Sequence, residues 1–176
     1  MEDIGSLTVK GSLIGSIGAG GTITDVIIAA HGQPSPTAST DLAIGKIAIG
    51  GRVEHAQILA GYNVVGLTAN NGNAQIGAVT VGGDWIASDL IAGVKDAGLP
   101  GFGDAGDVPS FGATGIARIA SITISGLVEG TPAGGDQFGF ESHTIGSFKA
   151  GGVAIPIASP VVLSALTSSD VTIRLV

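Results

Sequence analysis

The 176-residue chain contains no cysteine. Disulfides and thiolate metal sites are thereby excluded, although the redox compartment stays open. Charge is scarce as well: Asp, Glu, Lys and Arg make up 12% of the residues, roughly half the usual share. Seven Lys and Arg against 14 Asp and Glu give a net charge of −7. Basic residues this few and this scattered do not form a nucleic-acid footprint, and they offer little to an anionic membrane surface. Aromatics are 4%, with Trp85 the single tryptophan. No unbroken apolar run approaches the ~20 residues that span a bilayer. The most apolar tract, GGVAIPIASPVVLSAL, is interrupted by Pro156, Ser159 and Pro160. The opening MEDIGSLTVK has neither the basic nor the apolar region of a signal peptide.

What is abundant is glycine, at 31 residues, together with Ile, Val, Leu and Ala. The glycines follow no strict three-residue period, which excludes collagen. β-branched residues punctuated by glycine predict many short strands joined by tight corners.

The strands follow a phrase, I-x-x-Φ-x-Φ-x-G-x-Φ, with Φ apolar. IGSLTVKGSL fits it with Ile4, Leu7, Val9, Gly11 and Leu13. IGKIAIGGRV fits with Ile44, Ile47, Ile49, Gly51 and Val53, and IGAVTVGGDW with Ile76, Val79, Val81, Gly83 and Trp85. IASITISGLV fits with Ile119, Ile122, Ile124, Gly126 and Val128. IGSFKAGGVA is a weaker fifth copy, with Ile145, Phe148, Ala150, Gly152 and Ala154. The copies start at 4, 44, 76, 119 and 145, so they are 40, 32, 43 and 26 residues apart. A second strand is expected after most copies, in TITDVIIAA, EHAQILAG, DWIASDLIAG and QFGFES. Polar segments of unequal length then follow. Lengthening a loop costs little entropy, so one corner of a repeating coil tolerates such insertions.

The fold class read from this pattern is all-β: a right-handed parallel β-helix, or β-solenoid, of about five irregular coils forming one domain over 1–176. Long loops are expected at 31–43 and 94–118, and a C-terminal coil or cap over 153–176. Alternation sends Ile44, Ile47 and Ile49 inward, and Lys46 and Ala48 outward. The Gly-Gly pairs are expected to turn corners through positive φ. An antiparallel β-sandwich is the alternative, though it leaves the repeated Ile upstream of each alternating pair unaccounted for. The chain enters a repeat at residue 4 without a cap, which predicts a piece of a longer protein. An open coil end predicts neighbouring repeats, or self-association, as partners.

These segments resemble the glycine-rich repeat arrays of very large exported or surface-associated proteins of environmental bacteria. The resemblance is carried by IGAVTVGGDWIASDLIAGV (76–94), IARIASITISGLVEGT (116–131) and FGFESHTIGSFKAGG (138–152). It implies the C-terminal end of such an array, a structural or adhesive role, and an extracellular or cell-surface location; it implies no characterised activity. Related arrays carry a more acidic loop after the DLIAG strand. Here the loop GLPGFGDAGD keeps Asp104 and Asp107, with Asp96 upstream. Calcium wants six to eight oxygens, and these three carboxylates are the candidate ligands. The competing reading is a solvated loop in which Asp favours turns. No other cofactor is expected.

Enzymatic signatures are thin. His31, His55 and His143 sit in different repeats and lack HxH or HExxH spacing. No GxSxG elbow follows a strand, and the GSIGAGG match comes free in a glycine-rich chain. Polysaccharide enzymes and lectins on β-helices need clustered carboxylates or aromatic platforms. Arg52, Arg118 and Arg174 are dispersed, and Trp85 occupies a core register. A carboxylate pair requires folding to form it, for instance Asp84 with Asp89. A β-helix protein that binds or degrades polysaccharide through the long loops is the alternative function. Ice binding wants flat Thr arrays, but the outward columns Thr8, Ala48, Thr80, Thr123, Lys149 and Ser6, Lys46, Ala78, Ser121, Ser147 are broken by lysines.

Overall fold

The computed structural model describes residues 3–17, 23–132, 135–157, 161–162 and 170–176. The GSIGAGG match from residue 18 onward, and residues 158–160 and 163–166 of the apolar tract, lie outside the described residues. Within them the chain is all-β, and most strands pair in parallel. Among the described residues, no helix is long and apolar enough to cross a membrane.

Three sheets hold the repeats. The first, seven-stranded, orders Leu7–Val9, Leu42–Ile49, Gln75–Val81, Arg118–Ile124, Phe148–Ala150 and Val153–Ile155, with Thr144–Ile145 also beside Arg118–Ile124. The second, four-stranded, orders Leu13–Ile14, Val53–Glu54, Trp85–Ile86 and Val128–Glu129. The third, six-stranded, runs from Val26–Ala30 through Ala56–Ala60, Asp89–Ala92 and Phe138–Ser142 to Val171–Leu175, then Val161–Val162. The chain visits the first, second and third sheets in turn, then returns to the first beside the strand that it left. These parallel ladders differ from the antiparallel sandwich alternative.

Register follows the repeated phrase. Ile4, Ile44, Ile76, Ile119 and Ile145 are successive partners, as are Leu7, Ile47, Val79, Ile122 and Phe148. Leu13, Val53, Trp85 and Val128 form the corresponding column of the second sheet. In the third sheet Ile28, Ile58, Leu90, Phe140 and Ile173 align. These columns converge in one core cluster drawn from all three sheets. No single circuit could enclose its own apolar side chains, so stacking is what removes them from water. Trp85 is fully buried; its ring centroid lies 5.0 Å from that of Phe140, and its Nε1 donates to Ser88 O at 2.9 Å.

Three features differ from the sequence expectation. The expected second strands in EHAQILAG and DWIASDLIAG are each two strands, because a left-handed residue bends the chain between the second and third sheets: His55 has φ 49° and Ala87 φ 43°; QFGFES holds the single strand Phe138–Ser142. The corner glycines Gly50, Gly51, Gly82 and Gly83 do not adopt positive φ. They are glycines because of close approach: a Cβ on Gly82 would lie 2.2 Å from Gly50 O, and one on Gly50 2.3 Å from Lys10 O. The fifth copy does not turn the same corner. Gly151 and Gly152, at φ 55° and 81°, fold the chain into a hairpin. Val153–Ile155 then runs antiparallel to Phe148–Ala150, and Ala154 pairs with Lys149 rather than joining the Trp85 column. At the same end of the stack, Val161–Val162 is antiparallel to Val171–Leu175.

The segments of most unequal length, 31–41, 61–74 and 93–117, all connect the third sheet to the first. Polar side chains tie them together. Asn71 Nδ2 donates to His31 O and Asp41 Oδ2, both at 2.8 Å; Asn73 Oδ1 accepts from Thr114 N at 2.8 Å; and Gln75 Nε2 donates to Ser39 O and Ile116 O.

Candidate functional site

The loop after Asp89–Ala92 is built from backbone constraints. Val94–Lys95 pairs antiparallel with Val108–Pro109, which closes its neck. Phe102 folds back onto Leu59, Tyr62, Ile91 and Val94, so the loop covers the outer face of the third sheet with a second apolar layer. Its backbone comes close to the sheet at Gly103, whose φ of 114° suits only glycine; a Cβ there would lie 2.6 Å from Phe138 O. Thr172 Oγ1 donates to Gly103 O at 2.9 Å, fastening the loop to the Val171–Leu175 strand.

Each of the three candidate calcium ligands has a place in this loop. Asp96 Oδ2 accepts from Gly101 N at 3.1 Å. Asp104 accepts from Leu99 N at 2.6 Å through Oδ2, and from Gly106 N through Oδ1. Asp107 Oδ2 accepts from Gly103 N at 2.9 Å and Asp104 N at 3.1 Å. The three carboxylates thus serve separate backbone donors. Among the described residues, no group of three or more His, Cys, Asp and Glu side chains could hold a metal ion.

Asp107 instead meets residues that the sequence reading did not connect with it. Glu141 and Arg174 sit on adjacent strands of the third sheet, on the face under the loop, with Arg174 Nε 3.2 Å from Glu141 Oε1. Glu141 is 0% exposed and Asp107 3%. Neither Glu141 oxygen has a hydrogen-bond donor placed on it, and the same holds for Asp107 Oδ1. Like charges this close in a buried site favour the protonated form of one carboxyl, which can then donate to the other. Burial pushes the Glu141 carboxyl up to about 9; the Asp107 charge and the hydrogen bond to Asp107 add to this, and Arg174 opposes it. Burial also raises Asp107, against the Gly103 N–H and the Glu141 hydrogen bond. Asp89, 3% exposed, accepts from Gly139 N at 2.8 Å, and burial holds its carboxyl well above the usual range. Burial raises the Tyr62 phenol, which donates to Val94 O at 3.0 Å. With one proton shared, Asp107, Glu141 and Arg174 form a neutral group whose carboxyls are buried and whose guanidinium is partly exposed. In this arrangement it fastens the loop to the sheet and offers no surface to a substrate.

The remaining candidates are dispersed. His31 gives its carbonyl to Asn71, His55 occupies a corner, and exposed His143 places Nδ1 3.3 Å from Val176 O. Asp84 does not pair with Asp89; its Oδ1 accepts from Leu127 N at 2.9 Å across a corner. Ser12 Oγ serves Arg52 N in the same way at 3.0 Å. Thr8, Ala48, Thr80, Thr123 and Lys149 do form one column of the first sheet. The signal that could have found Glu141 and Arg174 was a single charge in each of two apolar strands, FGFES and VTIRL.

Compared with protein-family models, curated proteins and solved structures, the chain finds no match in any of the three.

Proposed function

We propose that the chain is a right-handed parallel β-solenoid acting as a non-enzymatic structural or adhesive module of an exported or surface-associated repeat protein. The observation that carries this reading is the unbroken column Ile4, Ile44, Ile76, Ile119 and Ile145 with its neighbours, in which the repeated residues are spent on stacking. The hand follows from the strong preference of parallel crossovers for right-handed connections. The concentrated chemistry beneath the 94–109 loop supports a mechanical role too, because its carboxylates are occupied with backbone donors and with one another.

A polysaccharide-binding reading draws on one specific observation: Phe111, in the long loop, is 82% exposed. An aromatic ring so placed can stack on a sugar face. One experiment separates the two readings, namely a panel of pectin-like and alginate-like polymers assayed for binding and for turnover. Inertness across the panel is expected of the structural module. Binding that Phe111→Ala abolishes, or any cleavage, overturns that assignment in favour of the second.

A further inference from the structure

The two ends of the strand stack differ. At the C-terminal end, antiparallel strands cover the first and third sheets. At the other end, Leu7–Val9, Leu13–Ile14 and Val26–Ala30 are each the terminal strand of their sheet. Ile4, Leu7, Val9, Leu13, Val26 and Ile28 are only partly buried there, whereas Ile44, Ile47, Val53 and Ile58 in the same columns are 0% exposed.

The glycines give this edge a direction. A Cβ on Gly45 would lie 2.2 Å from Gly5 O, one on Gly77 1.8 Å from Gly45 O, and one on Gly146 2.3 Å from Ala120 O. At the corner, a Cβ on Gly51 would lie 3.0 Å from Ser12 N, and one on Gly83 3.0 Å from Gly51 C. In each case the crowding comes from the preceding circuit. Ala120 is the one side chain in the first of these columns, so close approach favours glycine there without demanding it. Gly5 and Gly11 belong to the same two columns, yet nothing described lies within 4 Å of a Cβ on either, and neither has positive φ. Among the described residues, no contact or conformation calls for glycine at these two positions.

We infer that the Leu7–Val9, Leu13–Ile14 and Val26–Ala30 edge is a docking site for a further parallel circuit. That segment would carry the I-x-x-Φ-x-Φ-x-G-x-Φ pattern and seat its backbone over Gly5 and Gly11. Its backbone pairs with the open strand edges, and its apolar residues extend the Ile4, Leu7, Val9 and Leu13 columns. A second copy of this chain does not fit. Its far end is covered by antiparallel strands, and its open end would arrive with opposite polarity. The inference rests on the stacked-repeat reading above.

The test titrates the full chain with a synthetic peptide of residues 44–60, IGKIAIGGRVEHAQILA, and reads amide hydrogen exchange. The expected result is new protection at Leu7–Val9 and Leu13–Ile14. Gly5→Val and Gly11→Val should weaken peptide binding by about tenfold or more, equivalent to about 1.4 kcal/mol, and leave the melting temperature of the free chain unchanged. Absence of edge protection, or wild-type binding by both variants, overturns the inference. A variant that fails to fold also overturns it, since the glycine would then answer a need within the chain. Edge protection that grows with protein concentration in the absence of peptide places a second copy there instead. Protection of Ile44, Ile76 and Ile119 without peptide tests the stacked-repeat reading by itself. Its loss would mark failure of that reading, and its retention without edge protection would mark failure of the docking inference alone.

Discussion

Arg174 Nε lies 3.2 Å from Glu141 Oε1 across neighbouring strands of the third sheet, yet it makes no well-formed hydrogen bond there. The guanidinium neutralises charge without supplying a donor to the facing Asp107 and Glu141 carboxyls. A proton held by Glu141 completes the cluster, and its affinity becomes a stability term. In the unfolded chain Glu141 titrates near its ordinary 4.5; in the fold burial lifts it to about 9. Its stabilising contribution is fully present below the lower value and is lost as pH rises to the higher one. Asp89 and Asp107, also raised by burial, change stability in the same direction. Unfolding free energy is therefore expected to fall between about pH 5 and pH 9, by up to about 1.4 kcal/mol per pH unit for one proton. Glu141→Gln keeps a donor for Asp107 and removes the titration. Denaturant unfolding across this range should show a flatter profile for the variant; an identical slope would refute the shared-proton account.

Trp85 joins two columns. It stacks with Val53 and Val128 in the second sheet, and its ring meets Phe140 of the third. Trp85→Ala is expected to cost about 3–5 kcal/mol through lost transfer energy and a residual cavity. Trp85→Phe keeps part of the ring contact but leaves Ser88 O without its donor, at about 1–3 kcal/mol. Denaturant midpoints of the two variants should fall in that order.

The columns were legible in the sequence because a two-residue alternation anchored by a recurring Ile leaves one register in which every apolar side chain meets another. The hairpin at Gly151–Gly152 was not, because Gly50–Gly51 and Gly82–Gly83 present the same dipeptide at a corner. Only the φ values and the partner strands tell them apart. The bends at His55 and Ala87 left no trace either, since neither residue advertises a left-handed conformation. Nothing local announced the acidic cluster. Glu141 and Arg174 fall at positions that alternation turns away from the core. Only the 94–109 loop, folding back over the outer face, converts that face into a second interior.

Glycine at a column position is a packing requirement of the stack. A Cβ on Gly77 would lie 1.8 Å from Gly45 O, a backbone atom that cannot swing aside. Gly77→Val is expected to destabilise the chain by about 1–3 kcal/mol or more, as overpacking does elsewhere. Gly77→Ala should cost less, because Ala120 is accommodated in the same column. Thermal melts of the two variants provide the measurement; a neutral Gly77→Val would remove the close-approach argument.

The acidic loop gives the last prediction. Asp104 spends one oxygen on Leu99 N and the other on Gly106 N, and Asp96 and Asp107 serve Gly101, Gly103 and Asp104. A calcium ion would have to compete with these N–H donors, and it would sit beside a cluster that a single proton already neutralises. Adding calcium, or chelating it, is therefore expected to leave the melting temperature unchanged. Asp104→Asn should destabilise the loop by about 1 kcal/mol, because an amide nitrogen then faces one of the two N–H groups. Hydrogen exchange at Leu99 and Gly106 reads this directly. A calcium-dependent rise in melting temperature that Asp107→Asn abolishes would show instead that a cation displaces the backbone donors.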